Sequence, residues 1–168
     1  KMLGQLQDAG NTTTLAHYLK MLENAFLVSG LELFSRGRLR KKGSSPKLVL
    51  WNNALVNSLS TRGFTESLGD TSWWGRLVEN AVGASLCNTL LSVEYTISYW
   101  RDGDHEVDYV ISRGQDVWAV EVKSGRGSKT SGLSRFRTRY PDARVLLVGG
   151  QGIPLEDFFS RDIGVWLI

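Results

Sequence analysis

The chain has 168 residues, 42% of them hydrophobic, with a net charge of +3. That length holds one ordinary domain or two small ones with a real core, and no apolar run approaches the ~20 residues that span a bilayer, so a membrane-spanning role is not expected. The single cysteine, Cys87, excludes an internal disulfide framework and a cysteine zinc cluster, and its apolar helical setting marks it as a buried structural thiol.

The positive start Lys1-Met2-Leu3-Gly4-Gln5 is not followed by the long apolar stretch of a signal peptide, so a reducing cytoplasm is the expected compartment. The start does not resemble a natural beginning either, and the chain is expected to be a piece of a longer protein. Asn11-Thr12-Thr13-Thr14 supplies side-chain oxygens for a helix start, and Leu15, Leu19, Leu22 and Phe26 recur at helical spacing. The helix is expected to end near Ala25. Phe26 to Phe34 reads as a strand broken by Gly30, with Lys47 to Trp51 as its partner. The basic stretch Arg36 to Lys42 lies between them. A helix followed by a basic hairpin resembles a winged-helix unit, and this defines a winged-helix-like segment over residues 1–70. Asn52 or Asn53 caps a short helix through Leu59. Residues 60–72, rich in Ser, Thr and Gly, are the expected boundary.

After that boundary the pattern is cleaner. Trp74, Leu77, Val78, Ala81 and Ser85 mark one face of a helix running to about Leu91. Val93 to Trp100 and Glu106 to Ile111 alternate as strands, and Val117 to Val122 is a third. Ser131 to Tyr140 fits a helix and Arg144 to Val148 a buried strand. Pro154 opens a short helix, and Val165 to Ile168 reads as a last strand. Residues 71–168 therefore carry an α-β-β-β-α-β order on an α/β core. Residues 1–70 hold nine Lys and Arg against five Asp and Glu, and residues 71–168 hold eleven against twelve. The first part is thus +4 and the second −1, and a basic front suits nucleic acid or an acidic protein partner.

The chemistry concentrates in His105-Glu106-Val107-Asp108 and Val120-Glu121-Val122-Lys123. If Gly114 and Gln115 form a two-residue hairpin turn, paired residues have numbers summing to 229. Arg113 then faces Asp116, and Asp108 faces Glu121. Opposed residues share a face with Cβ atoms about 4.5–5.5 Å apart, and Lys123 points the same way as Glu121. Two carboxylates on apolar strands repel and are costly to desolvate, and a divalent cation with oxygen ligands relieves both. A register slip of one residue would separate the two acids, and Glu-x-Lys on a strand also suits a plain surface ion pair. Glu79 is the fourth candidate. Its neighbours on the same helix face, Gly75 and Gly83, leave room beside it, although a solvated helix glutamate is the commoner fate.

Glu79 on a helix, Asp108 beyond the Trp100-Arg101 strand end, and Glu121-Val122-Lys123 resemble the PD-(D/E)XK nuclease superfamily. Gly4-Gln5-Leu6-Gln7-Asp8-Ala9-Gly10-Asn11, Ser45-Pro46-Lys47, Trp100-Arg101-Asp102, Glu106-Val107-Asp108 and Glu121-Val122-Lys123-Ser124-Gly125 are similar to the C-terminal region of predicted bacterial and archaeal AAA-type ATPases, a region of unassigned function. This likeness covers nearly the whole chain. It implies an N-terminal ATPase domain outside the chain, a winged-helix-like segment, and a restriction-endonuclease-like fold after residue 70. It also implies Glu79, Asp108, Glu121 and Lys123 as catalytic positions. Mg²⁺ or Mn²⁺ would be held by Asp108, Glu121 and the Val122 carbonyl, and phosphodiester hydrolysis would be the reaction. Members of the superfamily also keep the fold for binding alone, so a non-catalytic nucleic-acid or protein-binding module that regulates the ATPase is the alternative.

Ser124-Gly125-Arg126-Gly127-Ser128-Lys129-Thr130 follows a strand and precedes a helix, but it fails the phosphate-loop pattern because Ser128 precedes the lysine. Lys129 near a helix start, with Arg135, Arg137 and Arg139 on the helix, is a candidate contact for a DNA or RNA backbone. A solvated basic helix face accounts for those arginines equally well. The loop 36–42 suits a DNA-contacting wing or a contact to the ATPase domain. His17 reads as a helix-face residue, and His105, which adjoins the strand that carries Asp108, as an exposed turn residue or a neighbour of the site.

Overall fold

The structure, a computed structural model, describes residues 12–36, 45–90, 94–125 and 131–168. Its centre is a mixed six-stranded sheet built from β1 (Val28–Leu33), β2 (Lys47–Leu50), β3 (Thr96–Asp102), β4 (His105–Arg113), β5 (Asp116–Lys123) and β6 (Arg144–Gly149). The strand order is β2-β1-β3-β4-β5-β6. β1 runs parallel to β3 and β5 runs parallel to β6, while the remaining neighbours are antiparallel. The helices are α1 (Thr12–Asn24), α2 (Asn53–Leu59), α3 (Phe64–Gly69), α4 (Thr71–Leu90), α5 (Ser131–Arg139) and α6 (Leu155–Ser160).

Side-chain alternation along β5 gives the sheet two apolar faces. Trp118, Val120 and Val122 join Val82, Leu86 and Cys87 of α4 in one core, together with Tyr109 and Ile111. Val117 and Ala119 join Leu133 and Phe136 of α5 in a second, together with Trp100 and Val107. The sheet is therefore sandwiched between α4 and α5. The order α4-β3-β4-β5-α5-β6 after residue 70 follows the expected α-β-β-β-α-β sequence. Cys87 is 1% exposed, and burial pushes its thiol up to about 11, as a structural thiol requires.

Several local expectations change. Gly30 does not break β1, because its N–H donates to Glu23 Oε1 at 3.0 Å and the strand continues through it. The 60–72 stretch contains α3. Ile163–Trp166 is a 3₁₀ helix rather than part of a last strand. Asp162 Oδ1 accepts from Gly164 N at 2.7 Å, and this local cap outcompetes extended pairing. Arg113 faces Asp116 across the turn as expected, but the ion-pair partner of Asp116 is Arg144 at 2.9 Å, and Arg113 donates to the Tyr95 hydroxyl at 2.7 Å. His105 is half-buried with Nδ1 unpartnered, not an exposed turn residue.

The β1–β2 hairpin is continuous with the rest of the sheet through Glu32–Ser98 and Leu33–Tyr99. A polar clasp fixes it to α4. Asn80 Oδ1 accepts from Leu50 N at 2.9 Å, and Asn80 Nδ2 donates to Leu50 O at 2.9 Å and to Asn53 Oδ1 at 2.7 Å. Asn52 caps α2, its Oδ1 accepting from Ala54 N at 2.8 Å. Asn52→Ala leaves that N–H without its cap and is expected to cost about 1 kcal/mol, read as a lower denaturant midpoint with an unchanged m-value. α1 leaves Tyr18, Met21 and Leu22 exposed, so its apolar side is only partly covered among the described residues. No described helix is long and apolar enough to cross a membrane.

Candidate functional site: an acidic cleft bridged by lysine

The β4–β5 ladder runs from Arg113–Asp116 to Tyr109–Val120, every pair summing to 229. Gly114 supplies the positive φ of 58° that the two-residue turn needs. Beyond Tyr109 the ladder gives way to a side chain, because Asp108 Oδ2 accepts from Val122 N at 2.9 Å. Asp108 is thereby fixed against the backbone between Glu121 and Lys123. Glu121 is 8% exposed. Its Oε1 accepts from Lys123 Nζ at 2.6 Å, while Oε2 is buried with no partner.

The second half of the cleft is organised by Lys47, at the start of β2. Its ammonium lies 2.6 Å from Glu79 Oε1, 3.6 Å from Asp108 Oδ1 and 3.6 Å from Glu106 Oε1. It also donates to the Asp108 carbonyl at 3.1 Å and sits 4.9 Å from the Tyr109 ring centre. β1 and β3 separate β2 from β4 in the sheet, so this side chain crosses to its partners. Glu79 comes from α4, where Gly83 makes room for Tyr109 and not for a ligand. A Cβ on Gly83 would run into the Tyr109 hydroxyl, which donates to Glu79 O at 2.8 Å.

Electrostatics set the character of the cleft. Burial pushes the Lys47 ammonium toward neutrality, but the charges of Asp108, Glu79 and Glu106 outweigh it and hold its pKa above the ordinary lysine value. Burial, then the Glu79 charge, raises the Asp108 carboxyl to about 7, against the opposing pull of Lys47 and the Val122 N–H. Glu106 has a further partner in Arg101. Glu79, Asp108 and Glu121 thus face two ammonium groups, Lys47 and Lys123, which balance the three acids only while Asp108 keeps its proton.

The raised Asp108 pKa gives a pH signature. The folded chain keeps a proton on Asp108 up to about pH 7, whereas an unfolded aspartate loses it near about 3.9. Between those values the folded state binds more protons, so stability falls as pH rises from about 4 to about 7 and then levels off. Calorimetry in chelator is expected to give a lower Tm at pH 8 than at pH 5, with a smaller drop in Asp108→Asn.

Lys47 links Glu79, Asp108 and Glu106, and the Glu121–Lys123 pair lies beside Asp108 through the Val122 N–H. Lys47 and Glu106 stood in stretches that carry the family likeness but were not among the candidate site residues. A lysine opening an otherwise apolar strand, Lys47-Leu48-Val49-Leu50, was the available signal. The α5 arginines do not join the cleft. Arg135 pairs with Asp102 at 3.2 Å, Arg139 stacks on Tyr140, and Arg137 is exposed. Lys129 and positions 37–42 of the basic loop lie outside the described residues.

The donor set bears on a divalent metal. Among the described residues no three or more His, Cys, Asp or Glu side chains converge as a metal-holding group. Mg²⁺, however, is commonly held by one or two carboxylates with waters and phosphate oxygens. The buried, unpartnered Glu121 Oε2 beside an undercompensated Asp108 fits that smaller requirement.

Fold and cleft together define an α/β protein with a lysine-bridged acidic site at the end of its central hairpin. Residues 74–160, just over half of the chain, match the family described as "Domain of unknown function (DUF4143)", and the chain belongs to that family. Residues 3–67 match a second family, "Domain of unknown function (DUF8612)". No curated protein matches. Among solved structures the chain is similar to "Crystal structure of protein VC1899 from Vibrio cholerae", at 15% identity and a TM-score of 0.29. The match covers 91% of this chain and 37% of that one, so the chain spans little more than a third of that protein's length.

Proposed function

We propose that the chain is a PD-(D/E)XK-type domain whose acidic cleft hydrolyses phosphodiester bonds in DNA or RNA with Mg²⁺ or Mn²⁺. The observation that carries this reading is the Asp108–Glu121 pair, one carboxyl raised to about 7 and the other with a buried unpartnered oxygen. Strongly perturbed acids in a cleft are where function concentrates, and the α4-β3-β4-β5-α5-β6 order supports the architecture. Asp108, Glu121 and the Val122 carbonyl would hold the metal. When bound, it would polarise a phosphate oxygen and lower the pKa of a coordinated water. Asp108 is pre-positioned by the Val122 N–H. Lys123 is within reach of Glu121 and would stabilise negative charge developing on the phosphate. Glu79, held by Lys47, would act as an outer acid that orients water.

We further propose attachment to an AAA-type ATPase domain in the cytoplasm, with the exposed side of α1 as one contact. One observation favours the alternative of a non-catalytic binding module: Lys47 already offsets part of the charge of Glu79 and Asp108 from within. The two readings separate in one experiment. The whole chain is incubated with labelled DNA and RNA and Mn²⁺, beside an Asp108→Ala control. Cleavage lost in the control supports hydrolysis, and equal background cleavage by both proteins sinks it.

A further inference from the structure

We infer that a cavity beside the cleft takes one unpaired base of a single-stranded nucleic acid, with Arg76 receiving that nucleotide's phosphate. The inference rests on the hydrolytic reading above and names its substrate class. The cavity measures about 250 Å³ and lies between β2, α2 and α4, where Leu48, Leu50, Val56 and Leu77 line it together with Trp73 and Arg76. Drug-sized ligands fill about 300–1,000 Å³, so this space suits a single flat ring system. Lys47, Glu79 and Tyr109 line it as well, so cavity and acidic cleft share a wall.

The lining has the character of a stacking site. Apolar side chains and an aromatic ring hold a base by its faces, which every base presents, and a cation beside them holds its phosphate. Trp73 is fixed before any ligand arrives. Its backbone N–H donates to Asp70 Oδ1 at 3.0 Å, Asp70 Oδ2 pairs with Arg62 at 2.7 Å, and the Arg62 guanidinium lies over the Trp73 ring at 5.2 Å. Arg76 is exposed and has no acidic partner among the described residues, whereas Lys47 is held on Glu79. The β2 and α2 walls belong to residues 1–70, whose Lys and Arg outnumber Asp and Glu, a balance suited to a polyanion. Arg76 sits three residues before Glu79 on α4, and such pairs on one helix face have Cβ atoms about 5–6 Å apart. A base in the cavity therefore leaves its phosphate at Arg76 and turns the next one along the strand toward the cleft. A base inside a duplex must leave its stack to enter, which favours single strands. Asn80, the one amide in the lining, is committed to Leu50 and Asn53, so it does not read a base edge and sequence preference is expected to be weak.

Fluorescence anisotropy with a short labelled oligothymidine, in chelator so that no cleavage intervenes, tests this on the whole chain. The strand is expected to bind about tenfold tighter than a blunt duplex of the same length at equal salt. Trp73→Leu, with folding checked by its thermal melt, is expected to weaken strand binding about tenfold and to leave duplex binding within about twofold. Arg76→Ala, an exposed change that keeps the cavity, is expected to weaken strand binding about threefold and to lower the salt slope by about one. Val56→Trp, which fills the cavity from α2, is expected to abolish the preference, and it carries the test with Arg76→Ala if Trp73→Leu does not fold. Equal binding of strand and duplex by wild type overturns the inference, as does a preference unchanged in the folded variants. Displacement of the strand by thymidine monophosphate at the strand's own concentration would mark a mononucleotide pocket and overturn it too. Mn²⁺-dependent cleavage without any strand preference overturns the inference and leaves the hydrolytic reading standing. Strand-selective binding without cleavage supports the inference and overturns that reading.

Discussion

Asp108→Asn is expected to lower Mn²⁺-dependent phosphodiester cleavage by about 10³-fold, corresponding to about 4 kcal/mol of lost transition-state stabilisation. The same variant is expected to be more stable than wild type above pH 7 in chelator. Both effects come from one carboxylate. Its Oδ2 anchors the Asp to Val122 N, and an asparagine oxygen can keep that bond. Its charge is what burial and Glu79 oppose, and it is also what a metal ligand needs. Removing the charge and keeping the shape relieves the folded state and disables the site. Initial rates on a labelled substrate and melts at pH 8 read the two effects in the same preparation. Loss of both activity and stability would mean that Asp108 serves as a structural anchor.

Gly132→Ala is expected to destabilise the chain by about 3 kcal/mol, a large value for one added methyl group. A Cβ at this position in α5 would overlap the Glu106 carbonyl oxygen of β4. Both partners are backbone, so no rotamer change relieves the contact. α5 has to lift from β4, and Leu133 and Phe136 lift with it out of the second core. Glu106 is displaced too, which couples this packing to the cleft. Denaturant unfolding measures the loss, and Gly125→Ala, where a Cβ meets nothing within 4 Å, is the matched control.

The parts of the fold that local pattern encodes were legible from the residues. Alternation along 106–111 and 117–122 and the Gly114-Gln115 turn give the hairpin register, because side-chain period and turn chemistry are both short-range. Long-range order was not legible. Nothing in residues 28–50 says that their hairpin joins β3, and without that pairing Lys47 cannot be brought to Asp108. Gly83 looked like space for a ligand, but only the placement of Tyr109 decides what fills it. The apolar tail Val165 to Ile168 looked like a strand, and one Asp162–Gly164 bond was enough to tip it into a 3₁₀ turn. Lys47 is the clearest case, since its role depends on three acids from α4 and β4 that lie at least 32 positions away in sequence.

The most direct test of the cleft is a crystal of the whole chain grown with Mn²⁺, with anomalous scattering collected at the manganese edge. The expected result is one strong peak coordinated by Asp108 and Glu121, with the Lys47 ammonium still on Glu79. An empty pair of carboxylates at saturating Mn²⁺, with Glu121 still turned to Lys123, would contradict it.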